Sequence, residues 1–129
     1  MRGFLLDTNA VLFALNQPER LSAAARAAIL EGANQISVIS YWEVVLKCMK
    51  GKLKVGDPQI WWRNTLDSLS AAPLNLRPEH IARIYLLPPH HQDPFDRVLI
   101  AQAIEEELVL VSCDGTVPLY AEADLRFLT

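Results

Sequence analysis

Gly3-Phe4-Leu5-Leu6-Asp7-Thr8-Asn9 decides how the chain is read: a short apolar run stops at three residues that favour turns and helix starts. Phe4 to Leu6 is too short for a helix and apolar without alternation, so it reads as a buried strand feeding a helix from about Ala10 to Leu15. The same pattern returns twice. Ile36 to Ile39 is β-branched and apolar and runs into Ser40-Tyr41-Trp42-Glu43, where Ser and Glu stand three apart as a capping box requires. Leu108 to Val111 is a third buried strand, ending at Ser112-Cys113-Asp114-Gly115. Strands that are apolar throughout and alternate with helices imply a parallel sheet covered on both faces, joined by right-handed crossovers. The expected fold class is α/β.

Between these units the punctuation is clear. Ser22 is a suitable N-cap for Ala23 to Leu30, with Gly32 closing that helix, and the helix after the second strand should end near Gly51. Gly56-Asp57-Pro58 starts a helix carrying Ile60, Trp61, Leu66 and Leu69. Ala72 to Leu76 contains Pro73, which cannot donate to a ladder, so a strand there belongs at a sheet edge. Pro78 suits the first position of a helix reaching about Leu86, followed by an irregular link through Pro88-Pro89-His90-His91. Asp93-Pro94-Phe95-Asp96 opens the strongest helix, whose stretch Val98 to Ile104 is apolar apart from Gln102 and is expected to be deeply packed. Leu125 to Leu128 is a candidate short edge strand. No repeat or linker divides the 129 residues, and a hydrophobic content of 51% fits one core, so a single domain over residues 1–129 is expected.

Composition excludes several classes. A net charge of -3 and a pI near 5.5 argue against holding nucleic acid by a broadly basic surface, so a phosphate partner would need help from a metal ion. Lys47, Lys50, Lys52 and Lys54 form a local exception around Gly51, read either as a helix end complementing its dipole or as a contact for RNA or a protein partner. No apolar run approaches the roughly 18 residues of a membrane helix, and Met1 to Asp7 lacks the features of a secretory signal. A soluble cytoplasmic protein is expected. Cys48 and Cys113 form no spaced motif and lie in apolar neighbourhoods, which predicts buried free thiols.

In an open parallel sheet, ligands bind beyond the carboxyl ends of the strands, where helix N-termini also point. Four acids fall there: Asp7 after the first strand, Glu43 at the helix following the second, Asp96 in the first turn of the packed helix, and Asp114 after a later strand. Each has an ordinary explanation, since acids cap helices and Asp-Gly is a common turn. Together they would repel and raise one another's pKa values unless a cation neutralised them. A carboxylate set without cysteine or histidine is hard and oxygen-rich, suiting Mg²⁺ or Mn²⁺.

At these residues the sequence resembles PIN-domain proteins, and within them the VapC toxins of bacterial toxin-antitoxin pairs. The resemblance runs from Leu5-Leu6-Asp7-Thr8-Asn9 through Ser37-Val38-Ile39-Ser40-Tyr41-Trp42-Glu43 and Asp93-Pro94-Phe95-Asp96-Arg97-Val98-Leu99-Ile100-Ala101-Gln102-Ala103 to Leu110-Val111-Ser112-Cys113-Asp114. It implies a three-layer α/β/α sandwich with a mostly parallel sheet, in which Asp7, Glu43, Asp96 and Asp114 bind Mg²⁺ or Mn²⁺ for endonucleolytic RNA cleavage. It also implies a homodimer silenced by a VapB-type antitoxin. Asn9 stands where similar members often carry histidine, and Ser112 where threonine is frequent.

On this reading Asp7 and Asp96 are the principal ligands, with Glu43 and Asp114 binding directly or through coordinated water, and the ion orders and acidifies the attacking water. Thr8, Asn9 and Ser112 either support the ligands or make plain turn hydrogen bonds. Asp93 reads as a cap, and Arg97 as bridging an acid or reaching phosphate. His90 and His91 read as exposed loop residues, Trp61 and Trp62 as core or interface, and Glu105-Glu106-Glu107 as a solvated helix end. Aspartate-based phosphatases want a second acid where Asn9 stands, and phosphate-accepting receivers want a lysine after a late strand. The remaining alternatives are a housekeeping RNA-processing nuclease without an antitoxin and a catalytically silent binding module.

Overall fold

A computed structural model describes residues 3–91 and 93–129; Met1 and Arg2, part of the stretch read for an export signal, lie outside them. β1 (Phe4–Leu6) leads into α1 (Thr8–Asn16), and after a 3-10 turn at Pro18–Arg20 comes α2 (Ala23–Leu30). β2 (Asn34–Ser37) is followed by α3 (Val38–Met49) and α4 (Pro58–Ser68), then β3 (Ala71–Leu74) and α5 (Pro78–Leu86). α6 (Pro94–Glu106), β4 (Val109–Val111), a 3-10 helix at Val117–Ala123 and β5 (Arg126–Leu128) complete the order. The five strands form one sheet ordered β3-β2-β1-β4-β5, every pair parallel. The α/β expectation is met, and Pro73 lies on an edge strand as its missing N–H requires.

Because successive strand residues face opposite ways, the sheet packs two apolar clusters. Leu5 and Leu110 join Leu99, Ile100, Leu87, Tyr120 and Leu125 on one face. Phe4, Leu6, Ile36 and Val111 join Val11, Leu21, Ala25 and Ala28 on the other, with Trp61 and Trp62 partly buried against them. α6 is the central helix of the first cluster, with Leu99 to Ala103 buried.

Local chemistry sets most boundaries as the sequence implies. Ser22 caps α2, Asp57 caps α4 and Asp93 caps α6, each with a side-chain oxygen on a backbone N–H of the first turn. The second strand is the exception. The sequence places its end at Ile39 with a capping box at Ser40 and Glu43, whereas α3 starts at Val38 and its N-cap is Ser37, whose hydroxyl accepts the Ile39 N–H at 3.0 Å. Ile39 is buried in the first cluster, so packing overrides the β preference of the Val38-Ile39 pair. Glu43 therefore lies in the second turn of α3, where it caps nothing. The acidic run at the end of α6 also departs from its solvated reading: Glu105 meets Arg83 at 2.6 Å, and Glu106 meets Arg77 at 2.6 Å and buried His80 at 2.8 Å. These contacts clamp α5 onto α6.

Gly3 carries a steric demand at the entry to β1. Its φ is +108°, and a Cβ there would lie 2.6 Å from the Ala33 carbonyl oxygen, whereas a Cβ on Gly115 would meet nothing. Gly3→Ala is expected to lose about 1 kcal/mol or more in urea unfolding, and Gly115→Ala to stay near wild type. Equal stabilities would contradict this packing.

Candidate metal centre at the sheet rim

The chain runs from β1 to β2 and β3 on one side, then returns to β4 and β5 on the other, so strand order reverses between β1 and β4. Such a reversal opens a crevice at the carboxyl rim. Leu6 pairs with Val111 and the Asp7 N–H donates to the Val111 carbonyl at 3.1 Å, which sets Asp7 beside Ser112. One Asp7 oxygen accepts the Ala10 N–H at 2.8 Å, capping α1, and the Ser112 side chain also hydrogen-bonds this carboxyl. The capping reading of Asp7 is correct, and its burial to 7% exposure is more than a cap needs.

Glu43 reaches the rim from α3. Its Oε1 accepts the Thr8 hydroxyl at 2.7 Å, Thr8 is also hydrogen-bonded to Ser40 at 2.9 Å, and Oε2 lies 3.4 Å from Lys47. An i,i+4 pair of that kind contributes only about 0.3–0.5 kcal/mol, so it does not account for Glu43 being held inward. Thr8 thus bonds an acid across the rim and not its own turn; Asn9 is exposed and Ser112 is buried.

Asp96 stands in the first turn of α6, three residues after the Asp93 cap. A carboxylate there ordinarily reaches back to the N-cap N–H. Here the Asp93 N–H is taken by His91 Nδ1 at 3.1 Å, and Asp96 Oδ2 instead meets His91 Nε2 at 3.0 Å. The same Nε2 lies 2.6 Å from Asp114 Oδ2, whose other oxygen accepts the Thr116 N–H at 2.8 Å and hydroxyl at 2.7 Å. Among the described residues, His91, Asp96 and Asp114 each offer a ligand-type atom within 4.8 Å of the others'. His91, read from sequence as an exposed loop residue, is at the centre of the cluster; His90 is exposed and bound to Glu122 at 2.7 Å. The clue in sequence was the position of His91 two residues before a helix cap.

Arg97 also differs from both of its readings. Its guanidinium donates to the carbonyls of Ile84, Leu87, Pro88 and His91 and to the Tyr120 hydroxyl, at 3.1 to 3.5 Å, and so staples the irregular link. The thiols are a further correction: Cys48 is half-buried and Cys113 exposed, because β4 ends at Val111 and the chain has left the sheet before Cys113.

Burial, with neighbouring charges second to it, sets the electrostatics of the rim. Burial chiefly, and then the charges of Asp114 and Glu43, hold Asp7 above the usual carboxylate range against its hydrogen bonds. Burial first, then Asp93, Asp7 and Glu43, push Asp96 up to about 7, opposed by His91. Asp114 goes the other way: burial pushes it up, but the two Thr116 bonds and His91 together outweigh that. A rim that keeps two carboxyls from ionising at their normal pH is one that a cation would stabilise.

These features define an α/β protein with carboxylates gathered at the carboxyl rim of its strand reversal. A PIN domain family model matches residues 4–122, and the chain belongs to the PIN-domain family. Ribonuclease VapC22 of Mycobacterium tuberculosis is 31% identical over 117 residues, spanning 88% of each chain. The fold is shared with VapBC2 from Rickettsia felis bound to a DNA fragment from their promoter, at a TM-score of 0.67 and 17% identity over 97% of this chain and 96% of that one. It is shared likewise with FitAcB from Neisseria gonorrhoeae, at 0.65 and 22% identity over 98% and 96%.

The raised Asp96 sets a pH dependence. Folded Asp96 holds its proton up to about 7 while unfolded aspartate releases it near 4, so its contribution to stability is full below about pH 4 and lost as pH rises through about 7. In metal-free protein, Asp96→Asn should flatten the fall in melting temperature across that window and raise the melting temperature above it. Parallel wild-type and mutant profiles would contradict the raised pKa.

Proposed function

We propose that the chain is a divalent-metal-dependent endoribonuclease of the VapC type, a single PIN domain over residues 1–129 acting in the cytoplasm as the toxin of a toxin-antitoxin pair. The observation that carries the reading is the placing of Asp7 and Asp96 in one another's field at the rim, both held above the usual carboxylate range by burial first and then by neighbouring acids, with Asp96 pushed up to about 7. The similarity to Ribonuclease VapC22 supports the reaction class.

The donors fit Mg²⁺ or Mn²⁺, since the four acids offer hard oxygens and two of them are disfavoured as bare anions. Asp7 and Asp96 would hold the ion, and Glu43 and Asp114 would complete its surroundings directly or through water. When bound, the ion supplies an activated water and stabilises charge on the phosphate and leaving oxygen. Thr8 holds Glu43, and Ser112 holds Asp7, so these two acids would be kept oriented for an ion. Lys47, which faces Glu43, and the nearby Lys50, Lys52 and Lys54 offer positive charge to an RNA backbone on an otherwise acidic protein.

A VapB-type antitoxin and a homodimer are the partners of this reading; the R. felis VapBC2 structure supports the first. Purified protein with total cellular RNA and Mn²⁺ should give discrete cuts that Asp7→Asn and chelation abolish. Induced expression should arrest growth, and Asp7→Asn should restore it. Cutting without arrest would favour a housekeeping nuclease; no cutting with Mn²⁺ would overturn the enzymatic reading.

A further inference from the structure

We infer that His91 is a positioning residue for the acid pair Asp96 and Asp114, donating its Nε2–H to both and remaining outside the metal's ligand set. The inference rests on the reading of the rim as a metal centre. Distance alone groups His91 with the two acids as a ligand, but the hydrogen bonding of the ring's far side excludes that role. His91 Nδ1 lies 3.1 Å from the Asp93 backbone nitrogen, and a backbone N–H can only donate, so Nδ1 uses its lone pair as an acceptor. The ring proton of neutral His91 is therefore on Nε2, where the lone pair needed for a cation is already spent.

Nε2–H faces Asp114 Oδ2 at 2.6 Å and Asp96 Oδ2 at 3.0 Å. Each of these oxygens keeps a further lone pair, so accepting from His91 does not prevent either from binding a cation. The ring is itself held at the backbone. The His91 N–H donates to the Tyr120 hydroxyl at 2.8 Å, and its carbonyl accepts from Arg97 at 3.4 Å. Tyr120 is fully buried, and the Arg97 guanidinium also grips Ile84, Leu87 and Pro88. The Pro-Pro-His-His link is thereby a built support. It takes over the N–H that Asp96 would otherwise cap, and turns Asp96 towards Asp114.

Mn²⁺ binding read by electron paramagnetic resonance of the unbound ion tests this without reference to activity. His91→Phe, which keeps the ring volume and loses the donor, should weaken Mn²⁺ about 10-fold. His91→Gln, whose amide N–H extends to nearly the position of Nε2, should recover most of that loss. In wild-type protein, ¹⁵N resonances of the imidazole should show Nε2 still protonated with Mg²⁺ bound. Unchanged affinity in His91→Phe, no recovery in His91→Gln, or loss of the Nε2 proton on Mg²⁺ binding would each overturn the role. Asp96→Asn separates the two levels. If it fails to weaken Mn²⁺ the metal centre itself is misassigned, whereas a weakened Asp96→Asn beside an unaffected His91→Phe removes only the positioning role.

Discussion

The pairing of β1 with β4 is the constraint on which the rest depends. With Leu6 opposite Val111, the first residues past each strand, Asp7 and Ser112, are neighbours, and Asp114 follows two residues on. A slip of one residue would turn Leu6 and Val111 out of the second apolar cluster and Leu5 and Leu110 out of the first, so the register is specified by burial on both faces. The same burial fixes the acids. Chemistry at the rim is thus anchored by hydrophobic alternation beneath it.

The acids are brought to the rim at an electrostatic cost. Asp7 and Asp96 are held above the ordinary carboxylate range by burial and by other acids, and the protein offsets this with α1's N-terminal N–H on Asp7 and the ring of His91 on Asp96 and Asp114. Helix N-termini carry partial positive charge, which lowers the cost of placing acids there. A capping role and a ligand role are therefore compatible in Asp7, one oxygen serving α1 while the carboxyl as a whole faces the rim.

Sequence reading worked where one residue's backbone chemistry decides the outcome. Pro73 demanded an edge, Pro78 and Pro94 each start a helix, Ser22 and Asp93 each cap one, and the apolar runs around Leu5 and Leu110 became the central strands. It failed where a distant partner decides. Val38 and Ile39 prefer extended backbone locally, yet Ile39 is needed in the core under α6. Arg97 carries no sign in the sequence that its partners are carbonyls at the end of α5 and on the link before its own helix. Likewise Glu105 and Glu106 look like a solvated end until α5 brings Arg77, Arg83 and His80 against them. His91 was missed because proline-rich links are usually exposed, and this one is tied down by Tyr120 and Arg97.

The central claim, that the four acids share a cation at the β1–β4 rim, is tested most directly by anomalous diffraction from crystals grown with Mn²⁺. The expected result is a manganese peak within about 2.0–2.6 Å of carboxylate oxygens of Asp7 and Asp96, with Glu43 and Asp114 bound directly or through one water. Manganese absent from the rim at saturating concentration, or bound on another face with Asp7 and Asp96 turned from one another, would contradict it.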